Sequence, residues 1–160
     1  MIRDKIKSAA ALKNILAAFR NEGKKVVFTN GCFDILHYGH VKYLEDAKKH
    51  GDILIVAVNS DNSVRKIKGK NRPIVDEKNR MRVLAALESV DFVTLFNEAT
   101  PLKIIRILKP DVLVKGGDWK KKNIVGSQIV QKKGGKVISL TLVKNNSTTN
   151  IIKKIGQDKD

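Results

Sequence analysis

Residues 25–40 read KVVFTNGCFDILHYGH and join two different hydrophobic patterns. The run from Lys25 to Thr29 is apolar and β-branched, which is typical of a buried strand. A glycine-containing loop follows, and the apolar residues from about Gly39 to His50 then recur on one helical face. A strand that passes through a short loop into a helix is the first unit of an alternating α/β fold.

The same alternation continues outward from this segment. Further strands are predicted at 53–58, 92–96, 111–114 and 136–140. Helices are predicted over 2–20, 76–88 and 124–132, from Thr100-Pro101 and from about Ser147, with a basic connector at 65–72. Because strands separated by helices pair in parallel, the sequence predicts an α/β, Rossmann-like three-layer sandwich, with a central parallel sheet of about five strands and helices on both faces. Ligands bind beyond the carboxyl ends of the strands in such folds.

The length of 160 residues favours one domain over 1–160, with an N-terminal helix within 1–22 and a core at 25–155. Cys32 is the single cysteine, so an intrachain disulfide is excluded. No apolar run reaches the roughly 18 residues that a membrane span requires. Charged residues also interrupt the N-terminus, where a signal peptide would be apolar. We therefore expect a cytoplasmic protein with no membrane partner.

The chain carries a formal net charge of +16, from 32 Lys and Arg against 16 Asp and Glu. This balance is compatible with a nucleic-acid-binding module or with a basic surface around a site for an anionic ligand. The lysines are spread along the whole chain, and the few aromatic residues are not interleaved with a basic stripe. The sequence favours the anionic-ligand site, so we expect no nucleic-acid partner and keep the nucleic-acid module as the alternative from a different class.

Two histidines, His37 and His40, stand three residues apart at the start of the predicted helix and share one face. A helix N-terminus offers free N–H groups and the positive end of the helix dipole. Two imidazoles beside that end therefore favour a polyphosphate, to whose oxygens they can donate hydrogen bonds. The alternatives are capping histidines or a metal site, but zinc needs more ligands than Cys32 and the distant His50 would add.

Seven blocks of sequence, taken with this HxGH motif, resemble one family. They are 28–34 (FTNGCFD), 58–61 (VNSD), 68–69 with 72–74 (KG, RPI), 79–80 with 84–87 (NR, LAAL), 114–118 (VKGGD), 124–126 (IVG) and 147–149 (STT). The family is that of the HxGH nucleotidyltransferases, the cytidylyltransferase-like enzymes. Within it the chain resembles the D-glycero-β-D-manno-heptose 1-phosphate adenylyltransferases of bacterial heptose-nucleotide synthesis. The resemblance covers nearly all of 25–155.

The resemblance implies a reaction. An oxygen of the sugar 1-phosphate attacks the α-phosphorus of a nucleoside triphosphate, with ATP the expected donor, and pyrophosphate leaves. The product is a nucleotide-activated heptose for lipopolysaccharide or surface-glycan synthesis. A phosphate nucleophile is already anionic, so catalysis depends on positioning and charge neutralisation. Mg²⁺ is the implied cofactor, bridging the phosphates without direct protein ligands; Asp34 either contacts it through water or caps its own loop.

The resemblance also assigns residues to the ligands. His37 and His40 are the catalytic pair, with His40 at the α-phosphate. The residues expected at the nucleotide are Thr29, Asn30, Gly31, Cys32, Phe33, His37, His40, Gly116, Asp118, Ser147, Thr148 and Thr149. Those expected at the substrate phosphate or sugar are Asn59, Asp61, Lys66, Lys68, Arg72 and Arg80. Three structural alternatives stay open: helix capping for 147–149, a plain turn for 116–118 and a surface ion pair for Arg80.

A second enzyme reading is a CTP-dependent cytidylyltransferase for glycerol 3-phosphate or another polyol phosphate. It shares the HxGH motif, the Asp118-Trp119 turn and the Ser-Thr-Thr helix start. The loop at 30–32 and the turn at 115–117 favour the heptose acceptor. The resemblance further implies a homodimer and, because related chains are often fused to a sugar kinase, a separate kinase for this chain. Lys153 and Lys154 lie where related enzymes often carry arginine, which weakens bidentate phosphate binding there.

Overall fold

The centre of the protein is a parallel sheet, as predicted. The computed structural model describes residues 1–117, 119–143 and 146–157. Its five strands are β1 (Val26–Gly31), β2 (Ile53–Asn59), β3 (Phe92–Phe96), β4 (Val112–Gly116) and β5 (Lys136–Leu140). They are ordered β3-β2-β1-β4-β5, and all neighbours pair in parallel. The sequence predicted each strand because short runs rich in apolar and β-branched residues alternate with helical segments, and the run of β2 is apolar from Ile53 to Val58.

Helices cover both faces of this sheet. Their bounds are α1 (Ile2–Lys5), α2 (Ala9–Asn21), α3 (Tyr38–Lys48), α4 (Asp61–Lys68), α5 (Glu77–Ala85), α6 (Leu102–Leu108), a 3₁₀ turn (Lys121–Asn123), α7 (Ser127–Lys132) and α8 (Thr148–Gln157). One apolar core joins Leu12 of α2 and Ile105 of α6 to alternate strand residues such as Phe28. The other joins Leu44 of α3 and Leu84 of α5 to the opposite strand face. The predicted three-layer sandwich is confirmed.

None of the helices in the described part of the chain has the length and apolarity needed to cross a membrane.

The sheet opens between β1 and β4. β1 pairs with β2 along its whole length, but it is in register with β4 only at Val27–Val112 and Phe28–Leu113. The order in which strands are added to the sheet also reverses here, since β2 and β3 lie on one side of β1 while β4 and β5 lie on the other. The diverging carboxyl ends of β1 and β4 leave a crevice at the topological switch point, where α/β proteins bind ligands.

The predicted helix over 2–20 is wrong in one respect, because two helices occupy this range. Ile6 forms an isolated parallel bridge with Val93, and the backbone N–H of Lys7 donates to the Val93 carbonyl at 3.0 Å. Ser8 then caps α2, its hydroxyl accepting from the Ala11 N–H at 3.2 Å. The helical period of the apolar residues was read correctly, but pairing with a distant strand interrupts it.

Three other boundaries differ from the sequence prediction. The basic connector at 65–72 is largely the last turn of α4, which Ser60 caps and Gly69 ends with φ of 96°. Pro101 occupies the cap position of α6 rather than its first helical position, so Thr100 does not cap it. The helix predicted over 124–132 begins at Ser127, after the 3₁₀ turn. In the first case a helix extends into the predicted connector, in the second the helix starts one residue later, and in the third the helix begins only after the 3₁₀ turn.

Replacing Ser8 with alanine is expected to lower the free energy of unfolding by about 1 kcal/mol, because the Ala11 N–H loses its capping partner. Ser8 is exposed, so the change removes no buried surface. Urea unfolding of the wild type, Ser8→Ala and Ser8→Thr measures the effect. Threonine keeps the capping oxygen and is expected to behave like serine. Equal stability of all three proteins would show that α2 does not begin at this cap.

Candidate active site

A cleft of about 730 Å³ lies beyond the carboxyl ends of β1 and β4. The loop from β1 to α3 forms its floor and carries the histidine motif. The remaining walls come from the end of α4, the start of α6, the end of β4 with Trp119, and the start of α8. The strand ends thus bring together segments that are far apart in the sequence, in the place that the fold prediction indicated.

His37 and His40 form a stacked pair in this cleft. His37 is the N-cap residue of α3, and the two ring centroids lie 3.9 Å apart with an interplanar angle of 26°. Phe33 packs on the other side of His40, with a centroid distance of 5.3 Å. The Nδ1 atoms of both histidines are buried, and neither has a hydrogen-bond partner among the described residues. Two buried polar atoms at a helix N-terminus are therefore left without a partner, which is uncommon outside functional sites.

Burial determines the charge of the pair. It lowers the pKa of His40 to about 4, with a further contribution from His37, and it also lowers the pKa of His37. Both imidazoles are consequently neutral near pH 7 in the ligand-free protein, and each carries one N–H donor. A polyphosphate in the cleft would favour the protonated forms, since an opposite charge raises the pKa of a histidine.

The loop before the histidines needs Gly31. A Cβ at this position would lie 2.9 Å from Cε2 of Phe33, whose backbone has a positive φ of 47°. Thr29, two residues before Gly31 on β1, is fully buried, and its hydroxyl oxygen lies 2.6 Å from that of Tyr43 on α3. The Tyr43 hydroxyl also donates to the Val114 carbonyl at 3.3 Å. These contacts fix α3, β1 and β4 relative to one another beneath the cleft.

Asp34 caps a loop. Its carboxylate, almost fully buried, accepts hydrogen bonds from the Ile74 and Val75 N–H groups at 2.8 Å each and from Arg72 Nε at 2.5 Å. Burial alone would raise the pKa of Asp34, but the bonds from Val75, Ile74 and Arg72 outweigh it and lower the pKa. Of the two roles left open by the sequence, the structure therefore favours loop capping. The carboxylate connects the histidine loop to the basic segment that follows α4.

Replacing Asp34 with asparagine is expected to lower the free energy of unfolding by about 2 kcal/mol near pH 7, because charged hydrogen bonds are lost. The pKa of Asp34 is lowered by folding, so the carboxylate stabilises the fold above the unfolded value of about 3.9 and the stabilisation disappears as the pH falls through the folded pKa. Unfolding of both proteins should show a constant difference above about pH 5 that shrinks below about pH 4.

The matched control for this change is Asp46→Asn. Asp46 pairs with Lys42 and Lys49 on the surface of α3, and exposed pairs contribute little to stability. A stability difference for Asp34→Asn that is no larger than that of Asp46→Asn would contradict the capping role.

Asp61 and Arg80 do not line the cleft, which differs from the expectation that both contact substrate. Arg80 is 1% exposed, and its guanidinium donates to Asp61 Oδ1 at 2.7 Å, to the Val75 carbonyl at 2.9 Å and to the Cys32 carbonyl at 2.5 Å. Its donors are therefore committed to the protein. The ion pair that the sequence left as an alternative exists, but it is buried rather than on the surface.

Most of the other predicted residues do reach the cleft. Those that line it are Asn30, Gly31, Cys32, Phe33, Asn59, Lys68, Arg72, Gly116, Ser147, Thr148 and Thr149. Thr29 lies beneath it, Lys66 lies exposed on α4 outside its lining, and Asp118 lies outside the described residues. Ser147 also accepts from the Asn150 N–H at 3.1 Å, and the Thr148 hydroxyl donates to the Ile35 carbonyl at 3.3 Å. Ser147 therefore caps the start of α8 and also lines the cleft, and Thr148 lines the cleft while its hydroxyl binds the Ile35 carbonyl.

Several residues of the cleft lining were not among those expected at the ligands, and some of them have polar groups. Tyr43 and Lys115 line the cleft, and so does Trp119, which is 51% exposed and donates from Nε1 to the Gly116 carbonyl at 3.1 Å. Trp119 had no clear assignment from the sequence between site and core. The position of Lys115 directly after the buried run 112–114 was the one signal that could have identified it, because strand ends form the site in this fold.

The described residues contain no group of three His, Cys, Asp or Glu side chains that could hold a metal ion. Of the described carboxylates only Asp34 lines the cleft, and backbone N–H groups and Arg72 already bind it. The cleft is instead rich in N–H donors and in cations such as Lys68 and Lys115. Its chemistry suits a phosphorylated ligand that brings its own divalent cation.

A family model described as cytidylyltransferase-like matches residues 28–154, which include the whole cleft floor. The chain belongs to the cytidylyltransferase-like family. This confirms the family resemblance on which the site residues were assigned. A protein of the family from Geobacter metallireducens, bifunctional protein HldE, is 54% identical over 94% of the chain, and its namesake from Pasteurella multocida is 55% identical over 97%. The chain spans about a third of the length of these relatives, 31% and 33%.

Solved structures agree with this membership. A lipopolysaccharide core biosynthesis protein from Thermoplasma volcanium is 34% identical, with a TM-score of 0.63 over 78% of this chain and all of that one. Pantothenate synthetase from Thermus thermophilus has a TM-score of 0.62 over 92% of the chain and 67% of its own, at 17% identity. The latter likeness shows the shared fold alone.

Proposed function

We propose that the chain is a nucleotidyltransferase that transfers AMP from ATP to D-glycero-D-manno-heptose 1-phosphate. An oxygen of the sugar phosphate forms a bond to the α-phosphorus, the bond from the α-phosphorus to the β-phosphate oxygen breaks, and pyrophosphate leaves. The observation that carries the proposal is the stacked pair His37–His40, with its unpartnered nitrogens at the N-terminus of α3. The relatives named HldE and the lipopolysaccharide core biosynthesis protein support the heptose acceptor.

The histidines serve the reaction as donors. Both pKa values lie below the ordinary value, so neutral imidazoles meet the triphosphate and each donates through its N–H. Negative charge grows on the phosphoryl oxygens as the leaving pyrophosphate departs, and donors held rigidly against these oxygens stabilise that charge. His40 lies deeper than His37 and is clamped by Phe33, so we assign it to the α-phosphate and His37 to the leaving phosphates.

Mg²⁺ belongs to the substrate in this proposal. The described residues of the cleft offer histidine and lysine nitrogens, and the Asp34 carboxylate among them is already bound by Arg72. The ion therefore enters bound to the triphosphate oxygens that hard cations prefer. Its contribution is to neutralise charge on the phosphates. The chain's own residues hold those phosphates in line with the acceptor.

A pyrophosphate-release assay with Mg²⁺ tests the function. ATP, CTP and GTP are each combined with heptose 1-phosphate and with glycerol 3-phosphate. Turnover with ATP and heptose 1-phosphate is the expected result. Turnover only with CTP and glycerol 3-phosphate would show that the protein is instead a polyol-phosphate cytidylyltransferase. Cytidylyl transfer is the reaction that the family's description names. No turnover in any combination would contradict the proposal, and salt-sensitive binding to DNA would then favour the nucleic-acid module.

The homodimer and the cytoplasmic location stay predictions. The first is measured by size-exclusion chromatography with light scattering, where a single species of 17.8 kDa would contradict it.

A further inference from the structure

Lys115 is a lysine of the cleft that has no hydrogen-bond or ion-pair partner among the residues that the structure describes. It follows the buried residues Val112–Val114 at the carboxyl end of β4, is itself half-buried, and lines the cleft. Its ammonium group makes no hydrogen bond or ion pair with any described residue. A lysine is seldom held in such a place without an anion, because burial disfavours its charge.

The pleat of the sheet places Lys115 beside two asparagines. Side chains two residues apart on a strand lie on the same face of the sheet. Lys115 therefore lies on the same face as Leu113. In the same way Asn30 shares a face with Phe28, and Asn59 shares a face with Ala57. Leu113, Phe28 and Ala57 all belong to one apolar core, the core covered by α2 and α6. Three adjacent strands, β2, β1 and β4, therefore each end in a polar side chain on the same side of the sheet.

This polar edge is distinct from the histidine side of the cleft. Tyr43 and Leu44 on α3 belong to the opposite core, and α3 carries the histidine pair on that side. The loop of Gly31–Phe33 runs between the two sides and lines both. The cleft thus has a triphosphate side beneath α3 and a second side, bounded by α4 and α6, whose side chains the histidine chemistry does not use.

Among the described residues, the second side carries two lysines and no free carboxylate. Lys68 is close enough to lower the pKa of Lys115, which burial lowers first and the Cys32 thiol opposes. Asp34 cannot neutralise them, since Arg72 and two backbone N–H groups already bind its carboxylate. Asn59 lines the cleft and donates from Nδ2 to Ser63 at 2.9 Å, which fixes its amide group there. Two lysines for a phosphate and amide groups for hydroxyls are the groups that a sugar phosphate requires.

We propose that Lys115, together with Lys68, binds the phosphate of the acceptor, and that Asn30 and Asn59 contact the hydroxyls of its sugar. This rests on the proposed function and adds the location of the second substrate. The geometry of the reaction agrees with it, because the nucleophile must approach the α-phosphorus from the side opposite to the departing pyrophosphate. A triphosphate beneath α3 leaves the Lys115 side as the direction of that approach.

Steady-state kinetics of Lys115→Met tests the assignment. Loss of a charged hydrogen bond is expected to raise the KM for heptose 1-phosphate about 10- to 100-fold, with the KM for ATP changed less than about threefold. Lys115→Arg keeps the charge and is expected to recover most of the affinity. Lys132→Met is the matched control on the exposed surface of α7 and should match the wild type. A larger effect of Lys115→Met on the KM for ATP would overturn the assignment to the acceptor.

Equilibrium binding separates this inference from the proposed function. Heptose 1-phosphate is titrated by calorimetry into each protein with Mg²⁺ and the unreactive analogue α,β-methylene-ATP present, so turnover is not needed. Binding to the wild type and to Lys132→Met, but weakened at least about tenfold in Lys115→Met, supports the site even if no turnover occurs. Equal affinity of a folded Lys115→Met protein, or of Lys115→Gln if the methionine variant fails to fold, overturns it. Failure of the wild type to bind the sugar phosphate overturns it as well.

Discussion

Replacing His40 with alanine is expected to lower kcat by about 10²- to 10³-fold, the usual effect of removing one rigidly held donor from a developing charge. His40 is the deeper of two stacked imidazoles, fixed by Phe33 on one side and His37 on the other. The KM values should change much less, because the donor acts most strongly in the transition state. Pyrophosphate release at saturating ATP and heptose 1-phosphate measures kcat.

The histidine series contains its own control. His50, just beyond α3, does not line the cleft, so His50→Ala should keep wild-type turnover. The pH dependence of kcat/KM gives an independent reading, since it reports pKa values of the free enzyme. With the pKa of His40 lowered to about 4, no ionisation of His40 should appear between about pH 6 and pH 8. Turnover of a folded His40→Ala protein within tenfold of the wild type would remove His40 from the chemistry.

The sequence predicted the sheet well because each strand is fixed by a local signal. A strand buried on both faces must be apolar throughout, and β2, with all seven residues buried, is the extreme case. The interruptions were harder to predict. Residues 6–8 continue a helical period, and only the bridge of Ile6 to Val93 on a distant strand ends α1 there. Ser8, a preferred N-cap residue, was the one local signal that a new helix begins at Ala9.

The residues of the candidate site also differ in whether a local sequence signal identifies them. His37 and His40 were found because their spacing and the preceding strand are local, and the helix N-terminus follows from both. Lys115 was missed because its importance depends on which face of β4 it occupies and on the lack of an ion-pair partner among the described residues. Arg80 was placed at the substrate because sequence cannot show which way a basic side chain on a short helix points. The structure turns it inward, toward Cys32 and Asp61.

Replacing Arg80 with methionine is therefore expected to destabilise the fold, by about 3 kcal/mol, rather than to weaken substrate binding alone. The side chain of Arg80 is 0% exposed while that of Asp61 is 23% exposed, so removing the guanidinium leaves a partly buried carboxylate and two carbonyl groups without donors. Methionine has similar length and fills most of the space, which limits the contribution of a cavity. The free energy of unfolding in urea measures the effect.

Two further variants identify the cause. Arg82→Met changes an exposed arginine on the same helix and should alter stability by no more than about 0.5 kcal/mol. Adding Asp61→Asn to Arg80→Met removes the stranded charge and should restore part of the lost stability, as coupled residues in one ion pair do in a double-mutant cycle. An Arg80→Met protein as stable as the wild type, but with a raised KM for substrate, would instead place Arg80 at the substrate. In that event the guanidinium would have to move when the substrate binds, because in the free protein it is bound to Val75, Cys32 and Asp61 and does not line the cleft.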